Sequence, residues 1–269
     1  MADSFYLPDG VQNPDDEECR FMATEATQGP WSPKLQHGGP PSALLVRASE
    51  RAAVRHTGRD DLQALRVVVD FLGAVPVGPV DVHAEVVRAG RSAVLVEAEL
   101  AAGGRTALRS RTWLVRKATE PTPAAQETAP PALPGPDEVA DDTSWDFGYA
   151  RHLSWRPVAG NNHGPGPAVV WVCPRVPLVP GEPLTGLQRV ITVADSASGV
   201  SSEVDWDRWS FANIDVTVHL LRPPDGDWLL MDARTRLSAG GNGLAEAVLH
   251  DRHGPVARSA QTLVVTPLQ

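Results

Sequence analysis

The stretch "HGGPPSALLVRASERAAVRH", residues 37–56, carries apolar side chains on every side of a helical wheel. Pro40 and Pro41 come early enough to lie in a first helical turn, where the missing backbone N–H breaks no hydrogen bond. A helix that is apolar all round is a buried helix. The stretch therefore predicts a helix enclosed by the rest of the fold.

Four β-branched runs separated by Gly-bearing turns follow this helix, which is the pattern of an antiparallel meander. The runs are "LRVVVDFL" (65–72), "PVDVHAEVVRAG" (79–90), "SAVLVEAELAAGG" (92–104) and "RTALRSRTWLV" (105–115). A helix followed by such strands predicts an α+β unit in which the sheet wraps the helix.

The second half of the chain repeats this order, with a predicted helix around 184–203 and four further strands. These strands are 212–224, 227–241, 244–254 and 255–265. When the two halves are aligned, "LGAVPVG" (72–78) matches "LLRPPDG" (220–226), so each half ends a strand in the same way. The repeat favours an internal duplication, and two unrelated α+β domains are the alternative.

A proline-rich stretch separates the halves. "EPTPAAQETAPPALPGPDE" (120–138) has six prolines and no apolar period, as in a semi-extended linker. The predicted organisation is an N-terminal unit over 1–117, a linker over 118–143 and a C-terminal unit over 144–269.

Composition excludes several classes of protein. The chain is 42% hydrophobic and 21% charged, as in a folded protein, and its net charge of −9 disfavours nonspecific binding to nucleic acid or to anionic membrane. The first residues lack the basic and apolar regions of a signal peptide, so we expect a cytoplasmic location. Cys19 and Cys173 lack metal-site spacing, and we expect neither metal nor cofactor.

The predicted second helix contains residues that a buried helix disfavours. In "ITVADSASGV" (191–200) an apolar run admits Asp195, two serines and Gly199, although a buried carboxylate is costly without partners. Several broken rules together indicate a functional site, where small neighbours leave room for a water molecule. An Asp at a kink or on an exposed helix face is the alternative.

Three stretches of the second half resemble the TesB-type acyl-CoA thioesterase II family, and the resemblance covers nearly the whole chain. They are "ANIDVTVHLLRP" (212–223), "WLLMDARTRLSAGGNGL" (228–244) and "DRHGPVARSAQ" (251–261). The resemblance implies a double hotdog, an α+β fold of two tandem antiparallel sheets, each wrapped around a long central helix. It also implies catalytic roles for Asp195, Asn213 and Gln261, with Asn213 standing where the family has Thr or Ser.

What the resemblance implies about activity is the hydrolysis of a fatty acyl-CoA thioester by water that Asp195 activates, without a metal. Asn213 and Gln261 would hold the water or the carboxylate through their side-chain amides. A catalytically silent acyl-CoA or lipid-binding protein is the main alternative, and another chemistry on the same scaffold is the third. Taken singly, Asn213 also fits a strand-start turn, and Gln261 fits a solvated strand residue.

Substrate-binding residues are expected at two places. Gly38 and Gly39, at the entrance of the first helix, would let the backbone approach a ligand, unless they form a plain loop. A basic pocket for the nucleotide end of acyl-CoA, the expected partner, would be formed by arginines that otherwise belong to solvated surface: Arg88, Arg91, Arg109, Arg111 and Arg258. His37 is a candidate for an indirect role. We also expect a homo-oligomer, because half-sheets leave edges and faces to pair.

Two further patterns concern strands. Along "NIDVTVHL" strict alternation predicts that Asn213, Asp215, Thr217 and His219 share one face. "HDRH" (250–253) lies on a predicted hairpin and indicates a turn rather than a pair of metal ligands.

Overall fold

A computed structural model describes residues 3–10, 18–120, 133–160 and 164–268. In these ranges the chain forms one antiparallel sheet of twelve strands, which encloses two packed helices. The strands are β1 (Tyr6–Pro8), β2 (Glu18–Ala23), β3 (Leu62–Phe71), β4 (Pro79–Ala89), β5 (Ala93–Ala102), β6 (Arg105–Arg116), β7 (Leu153–Gly160), β8 (Ala168–Pro174), β9 (Trp209–Leu220), β10 (Leu229–Leu237), β11 (Asn242–Asp251) and β12 (Gly254–Pro267). The helices are α1 (Gly39–Thr57), α2 (Gly148–Arg151), α3 (Gly186–Ala194) and α4 (Ala197–Val200).

The order of strands shows the internal repeat. The sheet runs β1-β2-β4-β5-β6-β3 and continues as β9-β12-β11-β10-β8-β7, so the second half-sheet is the first in reverse order. Each half contributes a central helix, α1 or α3, and the two helices contact each other. The predicted α+β double hotdog and the internal duplication are confirmed.

The half-sheets are joined by hydrogen bonds between β3 and β9, in register from Arg66 opposite His219 to Asp70 opposite Asp215. The inner edges of the half-sheets therefore pair within the chain, which leaves β1 and β7 as the outer edges. Self-association stays a prediction.

Each half also has two strands before its helix that the sequence reading did not include. β1 and β2 are three and six residues long, and β7 is interrupted by Pro157 and an irregular register next to it. Short or interrupted strands give little periodic signal. The β-branched run of β8, "AVVWVCP", was readable and was missed.

Helix α1 has the predicted position and burial. Its 19 residues carry prolines in the first turn, and it ends at Gly58, which adopts the left-handed conformation at φ +63°. At its start, a Cβ on Gly39 would lie 2.1 Å from the carbonyl oxygen of Thr192, so only glycine lets α1 approach α3 there. None of the helices in the described ranges is long and apolar enough to cross a lipid bilayer.

The far end of the helix pair, where α1 passes the start of α3, is occupied by a polar cluster. Glu50 accepts hydrogen bonds from Nε2 of Gln188 at 2.7 Å and from Oγ1 of Thr185 at 3.0 Å. Arg47 donates to Glu182 at 2.7 and 2.8 Å. Burial raises the pKa of Glu50, against the hydrogen bonds from Gln188 and Thr185.

Part of the predicted linker packs against the C-terminal half. Residues 121–132 lie outside the described ranges, but a 3₁₀ turn covers Pro136–Glu138. Nε1 of Trp171 donates to the carbonyl of Pro134 at 2.9 Å, and Nε of Arg156 donates to Asp141 at 2.9 Å. The division at 118–143 stays a prediction.

The "HDRH" stretch lies on a hairpin, as predicted, with its first two residues at the end of β11 and its last two in the turn to β12. The buried carboxylate of Asp251 accepts from Arg222 at 2.5 Å, from the backbone N–H of Asp225 at 2.8 Å and from that of His253 at 2.7 Å. Burial alone would raise the pKa of Asp251, but these hydrogen bonds outweigh it and lower the pKa to about 2.

Asp251→Asn should lower the free energy of unfolding at pH 7 by about 1.5–3 kcal/mol, because hydrogen bonds to a charged group are lost. A depressed carboxyl pKa stabilises the fold above about pH 4, and this stabilisation disappears as the pH falls toward 2. The difference between wild type and variant, measured by urea unfolding, should therefore shrink on acidification.

Glu246→Gln is the matched control, since its ion pair with Arg236 is exposed and should contribute at most about 1 kcal/mol. Equal effects of the two substitutions at pH 7 would contradict the account of the turn.

Candidate active site

The predicted second helix is broken at Asp195. The N–H of Ser196 donates to the carbonyl of Val193 rather than to that of Thr192, and the N–H of Gly199 donates to Ser196 rather than to Asp195. The carbonyls of Thr192 and Asp195 are thereby free for other donors. They accept from the hydroxyl of Tyr149 at 2.8 Å and from Nε2 of Gln261 at 3.0 Å. The expectation of a continuous helix over 184–203 was wrong, because the backbone changes to i−3 hydrogen bonds at Asp195 and side chains from other elements bind the freed carbonyls.

The structure brings Asp195, Asn213 and Gln261 together. Nδ2 of Asn213 donates to Oδ1 of Asp195 at 2.5 Å, and Nε2 of Gln261 lies 3.2 Å from the same oxygen. Asp195 is only 5% exposed, so these amides supply the partners that a buried carboxylate needs. The alternative of an Asp on an exposed helix face does not hold, whereas the kink is real.

A β-bulge decides where Asn213 points. Leu263 pairs with Asn213 and Thr262 pairs with Asp215, so Ile214 is the extra residue of β9 and is 49% exposed. The bulge shifts the alternation by one residue. Asn213 therefore lies on the inner side while Asp215, Thr217 and His219 face outward, and the predicted common face of all four was wrong.

Gln261 is fully buried on β12, and its side-chain amide is used at both ends. Its Oε1 accepts from the N–H of Ser198 at 3.1 Å, while its Nε2 donates to Asp195. Ser198 in turn donates through Oγ to Oδ1 of Asn213 at 3.4 Å. The alternative of Gln261 as a solvated strand residue is therefore wrong.

His37 lies on the other side of the carboxylate, with Nδ1 3.1 Å from Oδ2 of Asp195. Its ring stacks on Tyr149 at 3.9 Å between centroids and 4° between planes. Nδ1 also lies 3.1 Å from the N–H of Gly39, which can only donate. Burial lowers the pKa of His37, and the charge of Asp195 offsets only part of this effect.

These side chains border a cavity of about 460 Å³ between the two halves of the chain. Gly38, His37, Asp195, Ser198 and Asn213 reach its wall, and most of the remaining lining is aromatic or aliphatic. A small polar group in a mostly apolar cavity of about 300–1,000 Å³ is the usual form of a small-molecule site. Gly38 thus borders the cavity, whereas Gly39 serves the contact between α1 and α3, and substrate binding by either glycine stays a prediction.

The five arginines expected to bind CoA lie elsewhere. None belongs to the cavity lining. Arg109 and Arg111 form ion pairs with Glu99 at 2.6 Å and with Glu97 at 3.0 Å across the outer face of the sheet. Arg88 lies over the ring of Trp113, Arg91 lies in the turn between β4 and β5, and Arg258 is exposed on β12. The structure does not bring these arginines to Asp195, and their binding of CoA stays a prediction.

Sequence reasoning gave His37 only an indirect role and did not single out Tyr149. The "HGG" stretch was the available signal for His37, whereas one tyrosine in "FGYAR" (147–151) carries none. Within the described ranges no three His, Cys, Asp or Glu side chains gather as a metal-ion site. The absence of a cofactor requirement stays a prediction.

Comparison with known proteins identifies the class of fold and then the family. A protein of unknown function with hot dog fold from Alicyclobacillus acidocaldarius is similar at 15% identity. The match covers 96% of each chain with a TM-score of 0.77. The TesB protein of Mycobacterium avium subspecies paratuberculosis is similar at 20% identity, and the match covers 92% of this chain and 93% of that chain with a TM-score of 0.69. Acyl-CoA thioesterase II TesB2 from Mycobacterium marinum is similar at 18% identity, and the match covers 91% of this chain and 97% of that chain with a TM-score of 0.65.

Sequence models of the family match both halves. The acyl-CoA thioesterase N-terminal domain matches residues 27–115 and the acyl-CoA thioesterase C-terminal domain matches residues 126–265. The chain belongs to the acyl-CoA thioesterase family. No curated protein matches its sequence.

Gly38→Ala should disturb the site, because the added Cβ would lie 2.8 Å from Oδ2 of Asp195 and 2.6 Å from Cε1 of Phe71. Turnover of an acyl-CoA should fall on the order of 100-fold, since displacement by about 1 Å is enough for such a loss. The measurement is free-thiol release together with the melting temperature.

Gly240→Ala is the control, because its Cβ would meet only Oγ of Ser238 at 3.7 Å, far from the cavity. Unchanged turnover in Gly38→Ala would mean that the carboxylate need not stay where the structure places it.

Proposed function

We propose that the chain hydrolyses an acyl-CoA thioester with a water molecule that Asp195 activates. The observation that carries this proposal is that the two oxygens of one buried carboxylate have different surroundings. Oδ1 is held by Asn213 and Gln261, while Oδ2 is directed past Gly38 and His37 at the cavity wall. A carboxylate fixed through one oxygen keeps the other for proton transfer.

The reaction needs no nucleophile from the protein. Asp195 takes a proton from water as the water oxygen forms a bond to the thioester carbonyl carbon, and an oxyanion develops. When the oxyanion reforms the carbonyl, the C–S bond breaks and the thiolate of CoA takes the proton from Asp195. The products are the carboxylic acid and CoA, and the protein returns to its starting state.

His37 and the start of α1 support these two steps. His37 is a positioning residue, because Nδ1 accepts from the N–H of Gly39 at 3.1 Å and lies 3.1 Å from Oδ2 of Asp195. Pro40 and Pro41 have no N–H, and the N–H of Gly39 is directed to His37. Among the described contacts the N–H of Gly38 has no acceptor within the chain, which makes it the donor for the oxyanion at a positive helix end.

Asp195→Asn should lower kcat on the order of 100-fold or more, because the amide keeps the shape of the side chain but cannot accept the proton. Binding of acyl-CoA should persist. The measurements are free-thiol release, the dissociation constant by calorimetry and the melting temperature, with Asp232→Asn on the exposed outer face of β10 as the matched control.

A lowered melting temperature with unchanged turnover per folded molecule would make Asp195 a structural residue. The second candidate function is a catalytically silent acyl-CoA or lipid-binding protein, and it is favoured by Asn213, which stands where the family has a hydroxyl. Saturable binding of acyl-CoA by the wild type without any turnover would support it.

Asn213→Thr, which restores the hydroxyl implied by the family resemblance, should lower turnover by up to about 100-fold, the loss that a misplacement of about 1 Å can cause. The threonine hydroxyl is too short to replace this contact, because Nδ2 of Asn213 lies 2.5 Å from Asp195 and a hydroxyl on Cβ is one bond nearer the backbone. Asn242→Thr, on the exposed start of β11, is the matched control for the steady-state assay. A gain in turnover would instead mean that the amide weakens the site.

A further inference from the structure

Aromatic side chains are concentrated around the cavity. The chain has eight Trp, two Tyr and five Phe. Eight of them line the cavity: Trp31, Phe71, Trp145, Phe147, Tyr149, Trp155, Trp206 and Phe211. They come from four separate parts of the sequence, at 31, 71, 145–155 and 206–211, and the fold brings them to one cavity.

One aromatic cluster lies on the side of Asn213 and Gly199. Trp31 contacts Phe211 edge to face, at 5.0 Å between centroids and 89° between planes, and Trp206 at 5.4 Å. Trp31 is 41% exposed, so this cluster forms the solvent side of the cavity. Its rings are placed to cover the part of a bound ligand that extends from the cavity toward solvent.

The second cluster lies deeper, next to Tyr149. Trp155 meets Trp145 edge to face, at 4.8 Å and 72°, and meets Tyr149 at 6.2 Å and 67°. Two of these rings are fixed by their polar atoms. The hydroxyl of Tyr149 lies 2.9 Å from Oγ of Ser196 and donates to Thr192, and Nε1 of Trp155 donates to the carbonyl of Ala150 at 3.0 Å.

An aromatic wall that contains two anchored rings favours one kind of acyl group. The rings of Tyr149 and Trp155 cannot turn aside to admit a long alkyl chain without losing buried hydrogen bonds. A ligand ring gains edge-to-face and offset contacts beyond the burial of its area. It also has few rotatable bonds to immobilise, whereas a straight chain loses conformational freedom along its length.

We infer that the acyl group taken by this cavity carries an aromatic ring, as in an arylacetyl or arylpropionyl thioester, and that the ring lies against Trp145 and Trp155. The inference rests on the proposed thioesterase function and specifies its substrate class. It departs from the fatty acyl group implied by the family resemblance.

The test compares phenylacetyl-CoA, cyclohexylacetyl-CoA and octanoyl-CoA, whose acyl groups have the same number of carbon atoms. Binding is measured by calorimetry on Asp195→Asn, and kcat/KM is measured on the wild type, which keeps the comparison available if the variant does not fold. Phenylacetyl-CoA should be preferred about tenfold over each of the others. Equal constants, or a preference for octanoyl-CoA, would overturn the inference.

Trp145→Leu should reduce the preference for the phenyl ring to about threefold or less, because an aliphatic side chain retains apolar contact without the ring. Trp209→Leu is the matched control, since Trp209 is 37% exposed and lies outside the cavity lining. A preference unchanged by Trp145→Leu would overturn the placement of the ring.

Failure of the proposed function has a different signature. If the wild type cleaves none of the three thioesters while phenylacetyl-CoA still binds most tightly, the hydrolysis proposal fails and the inference about the ligand is supported. If all three are cleaved at equal kcat/KM and bound equally, the hydrolysis proposal holds and this inference fails.

Discussion

The break in the helix at Asp195 is the constraint on which the site depends. Two backbone carbonyls leave the helical hydrogen-bond ladder there, and Tyr149 and Gln261 donate hydrogen bonds to them. A buried carbonyl without a partner is destabilising, so the break is possible only if both side chains are in place. The same two side chains border the carboxylate or its neighbours, which makes folding of this region and assembly of the site a single event.

The buried carboxylate links elements that are far apart in the chain. Asp195 lies at the end of α3, Asn213 on β9, Gln261 on β12, and His37 before α1. Removing a carboxylate from water is costly, and the hydrogen bonds from two amides offset this cost without neutralising the charge. Two neutral donors suit the role of base that we propose for Asp195 better than a cation would, because a cation would hold the negative charge too firmly for it to accept a proton.

Most of the fold could be predicted from sequence, because the buried helix and the β-branched runs have strong periodic signals. Asp195 could be found for the opposite reason, since several residues there contradict the helix around them. The orientation of Asn213 could not be predicted, because one extra residue at Ile214 reverses the alternation without a local sequence signal. The aromatic cavity could not be predicted either, since Trp31, Trp145 and Trp206 come to line one cavity only in the folded chain.

Fusion of the two halves into one chain has an evolutionary consequence. In a homodimer of single units, every substitution would change both ends of the helix pair alike. Here one end holds Asp195 beside a cavity, while the corresponding end is filled by Glu50, Gln188 and Thr185 in mutual hydrogen bonds. A duplicated and fused gene can mutate each copy separately. The end at Asp195 was thus free to diverge toward the catalysis proposed above, while the other end acquired polar contacts that hold the two helices together.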